Sequence, residues 1–353
     1  MVKRTVICPN CKNQVTLQGS SREKIYVTCP NCNQKGVFTF LEDKTDLKTI
    51  NQSYTIEVNN LTKFYNGFKA VDNLSFNVKQ GEIFGFLGPN GAGKTTTIKS
   101  ILGLTLSSLG NIKINGSDIR KNFKEIKKNI GYQPERVAFY DNLTALQNLY
   151  FYSEIKNAPK KDCMKLLGEF GLKDLANKRV GTFSKGMTQK LGLIRAVLGN
   201  PSLLILDEPS IGLDPQGVLL VREKIRELNK RGTTVFISSH ILSEVQEVCD
   251  RVGIINKGVL IAQDTISELS KKLKIKPKII VELEKISDRI VEAVKKVEGI
   301  DKLEISGNKI EIICDSKTRG KVVLAIGNTG GNILNVQTKE TSLEEVFMKY
   351  TGG

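Results

Sequence analysis

A glycine-rich segment, residues 88–95, has the residue types and spacing of a phosphate-binding loop. Its sequence, GPNGAGKT, matches the pattern GxxxxGK[ST], follows the apolar run 83–87 and precedes a helical stretch. Glycines let backbone N–H groups wrap around phosphate oxygens, and the N-terminus of the next helix favours the same negative charge. Lys94 is expected to reach the β- and γ-phosphates, and the Thr95 hydroxyl is expected to ligate Mg²⁺. The segment therefore predicts binding of a nucleoside triphosphate.

A pair of adjacent acids, Asp207 and Glu208, ends a second apolar run, residues 203–206. If that run is a buried strand, the two carboxylates lie at the carboxyl edge of the sheet beside the phosphate loop. Asp207 suits coordination of Mg²⁺, directly or through water. Glu208 suits the role of a general base, or the positioning of an attacking water. An acidic pair alone is often only a solvated loop, but after a phosphate loop it favours a hydrolytic site.

Four cysteines near the N-terminus form two CxxC pairs, Cys8 with Cys11 and Cys29 with Cys32. Each pair offers two thiolates to one ion, and two pairs complete a tetrahedral shell with no open position. Residues 1–45 are therefore predicted to be a zinc ribbon, in which structural Zn²⁺ replaces the core that so short a segment cannot build. Redox-active dithiols or another metal are the alternatives. The role of the ribbon stays open between a passive or protein-docking module and a reader of nucleic acid.

Three segments follow one another along the chain. The zinc ribbon is the first, and the polar residues 42–53 link it to the second. In residues 54–268 short apolar strands alternate with helical stretches, which predicts an α/β domain with a largely parallel sheet. Near its end, the dipeptide 257–258 between two apolar runs predicts a hairpin. Residues 277–353 show the order β-α-β-β-α-β, which predicts a small α+β domain of the ferredoxin-like kind.

The composition limits the possible settings of the chain. Lys and Arg number 53 against 37 Asp and Glu, a net charge of +16. This balance favours an anionic contact such as nucleotide phosphates, lipid head groups or nucleic acid, although solvated lysine-rich faces explain most of it. The N-terminus has no apolar stretch typical of a secretion signal, and no run approaches the length of a membrane helix. With cysteines typical of a reducing compartment, the sequence predicts a soluble, cytoplasmic protein.

These features, in their order along the chain, resemble a known family. Residues 54–263 resemble the nucleotide-binding domain of ATP-binding-cassette (ABC) proteins, a phosphate-loop NTPase fold with a helical subdomain. The LSGGQ signature of that family appears here as FSKGM in residues 183–187, with Ser184 and Gly186 in place and the other three positions different. The departures bear on nucleotide affinity across the dimer rather than on membership of the family.

The resemblance implies roles for further residues. Tyr65 matches the aromatic that stacks on adenine, and Gln133 matches the glutamine that ligates Mg²⁺ and relays nucleotide state to the membrane partner. Asp214 lies in the loop that crosses to the opposing subunit, and His240, the only histidine, matches the switch at the γ-phosphate. The catalytic set is then Glu208, His240 and Gln133; the Mg²⁺ ligands are Thr95, Gln133 and Asp207; the ATP-binding set is Tyr65, Gly88, Pro89, Asn90, Gly91, Ala92, Gly93, Lys94, Thr95, Thr96, Ser184, Gly186 and Asp214.

The resemblance also implies partners. Ser184 and Gly186 of one copy are expected to cover the γ-phosphate held by Lys94 of the other, so a homodimer completes two sites. The segment 341–347, TSLEEVF, resembles the ends of ATPase subunits from drug-resistance and ABC-2 type exporters whose permease is a separate polypeptide. We therefore expect an ATP-hydrolysing subunit, peripheral on the inner face of the cell membrane, that drives a separate transmembrane permease and acts in export.

Two other functions are compatible with the sequence. The first is a soluble ABC ATPase that acts on nucleic acid or ribosomes through its ribbon and its positive charge. Such proteins usually carry two cassettes in one chain, whereas this sequence has one phosphate loop, so a nucleic-acid partner is the less favoured expectation. The second is a regulatory module in which the ribbon or residues 277–353 sense a metal or a partner and control the ATPase, which is compatible with export. The sequence does not identify the transported substrate.

Overall fold

The computed structural model describes residues 2–8, 10, 11, 13–19, 24–39, 53–121 and 123–351. The predicted linker falls almost wholly outside these ranges, since residues 42–52 are not among them. The described chain divides into two compact units. The first unit comprises residues 1–82 and 96–236, and the second unit comprises residues 83–95 and 237–353.

The strands, in chain order, are β1 (Val2–Ile7), β2 (Gln14–Gly19), β3 (Lys24–Thr28), β4 (Lys35–Thr39), β5 (Tyr54–Tyr65), β6 (Phe68–Lys79), β7 (Ile83–Leu87), β8 (Leu109–Ile114), β9 (Ser117–Asp118), β10 (Ile130–Gln133), β11 (Leu203–Asp207), β12 (Thr234–Ser239), β13 (Arg251–Asn256), β14 (Val259–Asp264), β15 (Lys278–Leu283), β16 (Ile300–Ser306), β17 (Lys309–Cys314) and β18 (Ile333–Lys339). The helices are α1 (Lys94–Ile101), α2 (Phe123–Lys128), α3 (Ala145–Ile155), α4 (Lys160–Glu169), α5 (Lys185–Val197), α6 (Pro215–Lys230), α7 (Leu242–Val248), α8 (Ile266–Lys272), α9 (Asp288–Lys295), α10 (Arg319–Asn328) and α11 (Leu343–Thr351).

The N-terminal residues of the first unit form two small antiparallel hairpins, β1 with β2 and β3 with β4. Their shared core is small and consists of Val6, Leu17 and Val27, with a few partly buried neighbours. A core of this size cannot stabilise a segment on its own. That this segment depends on a bound metal for its fold stays a prediction from the sequence.

The rest of the first unit holds two kinds of sheet. The strands β10 and β11 pair in parallel, and every residue of β11 is buried. This agrees with the predicted parallel sheet. A separate antiparallel sheet has the order β6-β5-β8-β9 and was not predicted. Asn66 and Gly67, both at positive φ, form the turn between its two long strands; an Asn-Gly pair of this kind is a hairpin signal.

In the second unit, β13 pairs in parallel with β7 and antiparallel with β14. The predicted hairpin is confirmed: Lys257 and Gly258, both at positive φ, connect β13 to β14. Helix α7 packs closely on β7, since a Cβ on Gly85 would lie 2.5 Å from a methyl group of Val245. The C-terminal helix α11 adds Leu343 to the same apolar core, together with residues of α7, α8 and β13.

The C-terminal part of the second unit is an antiparallel sheet of order β16-β17-β15-β18 with helices α9 and α10. The elements follow one another as β-α-β-β-α-β, which is the predicted order and that of a ferredoxin-like fold. Alternate residues of β15 and β17 are buried, and Ile290 and Val294 of α9 join the same core. The alternation of apolar residues in the sequence therefore corresponds to one covered face of this sheet.

Candidate functional site

The glycine-rich segment forms a loop between β7 and the start of α1. Gly91 and Gly93 have φ angles of 79° and 106°, a region that residues with a Cβ rarely adopt. Gly88 is required for a different reason, because a Cβ built on it would lie 2.4 Å from the backbone oxygen of Ile255 in β13. The turn of the hairpin also holds the loop, since the Gly258 N–H donates to the oxygen of Ala92 at 2.9 Å. These glycines let the backbone of the loop approach a phosphate closely.

Lys94, the first residue of α1, has only 6% of its surface exposed. Its Nζ donates to the backbone oxygen of Gly88 at 2.7 Å and to that of Pro89 at 3.4 Å. A lysine at the start of a helix, directly after a glycine-rich loop, adds a positive charge where loop N–H groups would receive phosphate oxygens. The arrangement therefore suits an anionic ligand at the loop. Thr95 and Thr96 follow in the same helix and are half-buried.

Asp207 and Glu208 lie at the end of the buried strand β11, where the sequence placed them, and both are buried. Glu208 has a φ of 52°, a left-handed conformation that is uncommon for any residue other than glycine. Such a backbone costs on the order of 1–3 kcal/mol and is characteristic of functional sites. The strain identifies Glu208 as a residue whose position is held by its surroundings.

Gln133 ends β10, and its cross-strand partner is Leu206, the residue before Asp207. It is fully buried, and its Nε2 donates to the backbone oxygen of Gln189 at 3.2 Å. Its Oε1 is buried and has no hydrogen-bond partner among the residues that the structure describes. A buried acceptor normally has a partner, and Mg²⁺ prefers oxygen ligands. The orphaned oxygen therefore fits the magnesium ion that the sequence predicted at Gln133.

The signature residues lie at the start of α5. The Ser184 Oγ accepts a hydrogen bond from the Met187 N–H at 3.2 Å and caps the helix, while the side chain of Ser184 remains exposed. Asp214 does the same for α6, where its Oδ1 accepts from the Gly217 N–H at 2.8 Å. Both residues thus have a structural role within the chain that the sequence analysis missed. A capped helix start with an exposed hydroxyl is nonetheless suited to an anion.

Tyr65 and His240 lie at the ends of strands. Tyr65 ends β5, has 42% of its surface exposed and lies 4.9 Å from Nζ of Lys63, measured to the ring centroid. An exposed ring of this kind offers a face on which a base can stack. His240 directly follows β12 and is exposed, and the next residue, Ile241, donates its N–H to the Ser239 Oγ at 2.9 Å.

The predicted site residues thus form two groups. In the first unit, hydrogen bonds connect Gln133, through the signature helix α5, to the segment that carries Asp207 and Glu208. The second unit contains the phosphate loop and His240, together with the strands β7 and β13. Sequence reasoning missed Gln189, the residue that makes the connection in the first unit. The sequence did offer a signal for Gln189. It is a polar residue among the apolar positions of α5, and a buried polar side chain needs hydrogen-bond partners.

The cysteines converge as their spacing predicted. Their sulfur atoms all lie within 4.8 Å of one another: Cys8, Cys11, Cys29 and Cys32. The two pairs have the same backbone geometry, since the N–H of the first cysteine in each donates to the oxygen five residues later at 2.8 Å. A hydrogen bond from the Asn31 side chain, helped by the backbone of Asn13, lowers the pKa of Cys11 to about 6. The cluster has the donor set of a closed tetrahedral metal site.

Comparison with known proteins agrees with this geometry. Residues 71–211 match the model of the ABC transporter family, and residues 265–351 match that of the C-terminal domain of DrrA1-3-like ATP-binding proteins. The bacitracin transport ATP-binding protein BcrA of Bacillus licheniformis is 42% identical over 311 residues, which cover 85% of this chain and 98% of BcrA. The linearmycin resistance ATP-binding protein LnrL of Bacillus subtilis is 34% identical, with 84% and 98% covered.

Solved structures show the same fold. An ATP-binding subunit of an ABC transporter has a TM-score of 0.59 and 31% identity, covering 62% of this chain and 93% of that one. The dimeric post-hydrolysis ATP-binding cassette MJ0796, bound to ADP and Pi, has a TM-score of 0.55 and 24% identity, covering 60% and 98%.

The fold and the phosphate loop define a phosphate-loop ATPase. More narrowly, the chain belongs to the ABC transporter family as an ATP-binding subunit, and it binds and hydrolyses ATP. The solved cassette MJ0796 is described as dimeric, and BcrA is described as a transport ATP-binding protein. Among the described residues, no helix combines the length and the apolar character needed to cross a membrane.

Proposed function

We propose that this chain is the ATPase subunit of an antibiotic-resistance exporter, working as a homodimer beneath a separate permease on the inner face of the cell membrane. The observation that carries the proposal is the extent of the match to BcrA and LnrL, which covers nearly the whole of both relatives. The match to a C-terminal domain of the DrrA1-3 type supports it. We also propose a division into a ribbon (1–45), an ATPase domain (54–268) and an accessory domain (277–353).

The phosphate loop binds the triphosphate in this proposal. Lys94 pairs with the β- and γ-phosphates, and the residues of the loop, 88–93, donate backbone N–H groups to phosphate oxygens. Thr95, Gln133 and Asp207 are the residues that would hold Mg²⁺, with oxygen donors that suit it. When bound, the ion supplies neutralisation of the charge that develops on the phosphates.

Hydrolysis requires a water molecule aligned with the γ-phosphorus. Glu208 polarises and orients this water, whose oxygen bonds to phosphorus as the bond to the ADP oxygen breaks. His240 donates a hydrogen bond to the γ-phosphate and helps to keep the reacting atoms in line. The buried carboxylate and its strained backbone support this role, because a fixed carboxylate needs no reorganisation during the reaction.

The second copy completes the site. Ser184 and Gly186 at the start of α5 cover the γ-phosphate bound to the partner, and Asp214 lies in the loop that crosses between the copies. Tyr65 stacks on adenine. Loss of the γ-phosphate loosens the closed dimer, and the permease receives the resulting motion.

The proposal predicts a partner that can be isolated. Tagged Glu208→Gln protein, trapped with ATP and purified from gently solubilised source cells, is expected to retain a polytopic membrane protein that mass spectrometry identifies. The Lys94→Ala variant should retain much less of this partner at the same ATP concentration, because its weaker ATP binding leaves less of the closed dimer. Recovery of ribosomal or nucleic-acid partners in place of a membrane protein would contradict the exporter and favour the alternative ATPase.

We further infer that the four clustered cysteines hold one structural Zn²⁺. Four thiolates complete the tetrahedral shell of zinc, and the small ribbon core leaves folding dependent on it. Cys8→Ser with Cys32→Ser is expected to lower zinc content from about one ion per chain to near zero and to expose residues 1–45 to hydrogen exchange, with ATPase activity retained. Cys249→Ser, outside the cluster, is the control. Zinc retained in the double variant would exclude this site.

A further inference from the structure

Gln189 lies one turn into the signature helix α5 and has only 4% of its surface exposed. The neighbouring buried side chains of the helix, such as Leu191 and Leu193, are apolar. A buried amide among them is retained only where its hydrogen bonds are satisfied. The contacts of this side chain therefore indicate what it does.

The Gln189 Nε2 donates to two successive backbone oxygens, to that of Glu208 at 3.4 Å and to that of Pro209 at 3.3 Å. Glu208 is the buried acid with a φ of 52°. A left-handed residue other than glycine persists only where its surroundings hold it. The amide of Gln189 supplies such a restraint at the first two carbonyl groups after β11.

The same residue contacts Gln133 through its backbone. The Gln189 oxygen accepts from the Gln133 Nε2 at 3.2 Å, which leaves the Gln133 Oε1 as the orphaned acceptor. One turn of α5 thus connects the end of β10 with the end of β11. Any shift of α5 along its axis would change both connections together.

The start of α5 contacts the same segment a second time. A Cβ on Gly186 would lie 3.2 Å from the oxygen of Gly212, and a Cβ on Gly212 would lie 2.6 Å from Cδ of Lys185. Gly212 has a φ of 81°, so its loop is shaped to receive the start of the helix. The signature helix α5 therefore contacts the loop after Glu208 with its first turn and the backbone of Glu208 itself with Gln189 in its second turn.

We propose that Gln189 is a positioning residue that fixes the backbone of Glu208 and links it to Gln133 and to the signature helix of the same chain. The inference rests on the proposed function, because the signature faces the nucleotide of the partner copy. When the signature of one copy binds the nucleotide of its partner, α5 would then align Glu208 of that same copy. The two sites of a dimer would be coordinated through this amide.

The test replaces Gln189 by Met, which keeps the length of the side chain and removes both hydrogen bonds without burying a charge. This variant is expected to lower kcat about 10- to 100-fold, since small misplacements of a catalytic group have effects of this size. The KM for ATP and the unfolding midpoint should change little. Gln147→Met is the matched control, because the same change there removes one cap hydrogen bond of α3 at an exposed position.

A double-mutant cycle with Gln133→Ala separates positioning from packing. If the two amides act in series, the double variant should lose less activity than the product of the single losses. Three results would overturn the inference. They are single losses that multiply in the double variant, an unchanged kcat, and a loss of kcat that a lower unfolding midpoint accounts for. A wild-type protein that neither hydrolyses ATP nor dimerises would instead overturn the proposed function.

Discussion

Glu208→Gln is expected to abolish nearly all steady-state ATP hydrolysis while ATP remains bound and the dimer stays closed. The amide keeps the size of the side chain but loses the negative charge that orients and polarises the attacking water, and losses of such a group are typically about 10²- to 10⁴-fold. Phosphate release under saturating ATP measures the rate. Size-exclusion chromatography with light scattering measures the dimer that accumulates.

Glu223→Gln is the matched control for this change. Glu223 is an exposed residue of α6, so the same loss of charge there should leave both rate and dimerisation unaltered. A Glu208→Gln protein that hydrolyses ATP at the normal rate would remove Glu208 from its role. If hydrolysis is lost but no dimer accumulates, the variant fails before the dimer closes, and the defect does not lie in the chemical step.

The position of Glu208 shows what local sequence can and cannot predict. An apolar run followed by two acids predicts a buried strand with carboxylates at its end, because burial of a strand on both faces requires apolar side chains throughout. The structure confirms this. The left-handed φ of Glu208 was not predictable, since nothing in the residue type favours it and the restraint comes from Gln189, a residue of α5.

The same distinction applies to the fold. The phosphate loop, the hairpin at Lys257-Gly258 and the β-α-β-β-α-β order were predictable, because glycine conformations and apolar alternation are properties of short segments. The antiparallel sheet of β5, β6, β8 and β9 was missed. Its turn at Asn66-Gly67 carries a hairpin signal, but the bulges in the pairing of β5 interrupt the strict alternation on which strand prediction depends.

The side-chain caps were missed for a different reason. Ser184 and Asp214 were assigned to the partner's nucleotide and to the crossing loop through family resemblance, and both also cap helices within their own chain. A capping serine is fixed in orientation by the helix it starts. In the proposed dimer this restraint would hold the exposed start of α5 ready for the anion bound to the second copy, so the structural role and the proposed functional role support each other.

Lys94→Ala is expected to weaken ATP binding about 10- to 100-fold. In the structure the Lys94 ammonium donates to the backbone oxygens of Gly88 and Pro89 in its own loop, and phosphate oxygens would add acceptors that carry a full negative charge. Hydrogen bonds to charged groups contribute about 1.5–3 kcal/mol, which corresponds to this range of affinity. Titration of a fluorescent ATP analogue measures the change.

Lys99→Ala provides the control for Lys94→Ala. Lys99 lies in the last turn of α1 and is exposed, so its loss removes the same charge from the same helix at a distance from the loop. Equal weakening by both variants would show that the effect arises from overall charge, which is already +16. Weakening by Lys94→Ala alone, with the unfolding midpoint preserved, would assign the phosphate contact to Lys94.

The Lys94→Ala variant should also fail to dimerise at ATP concentrations that saturate Glu208→Gln, because the dimer closes only on bound ATP in the proposed mechanism.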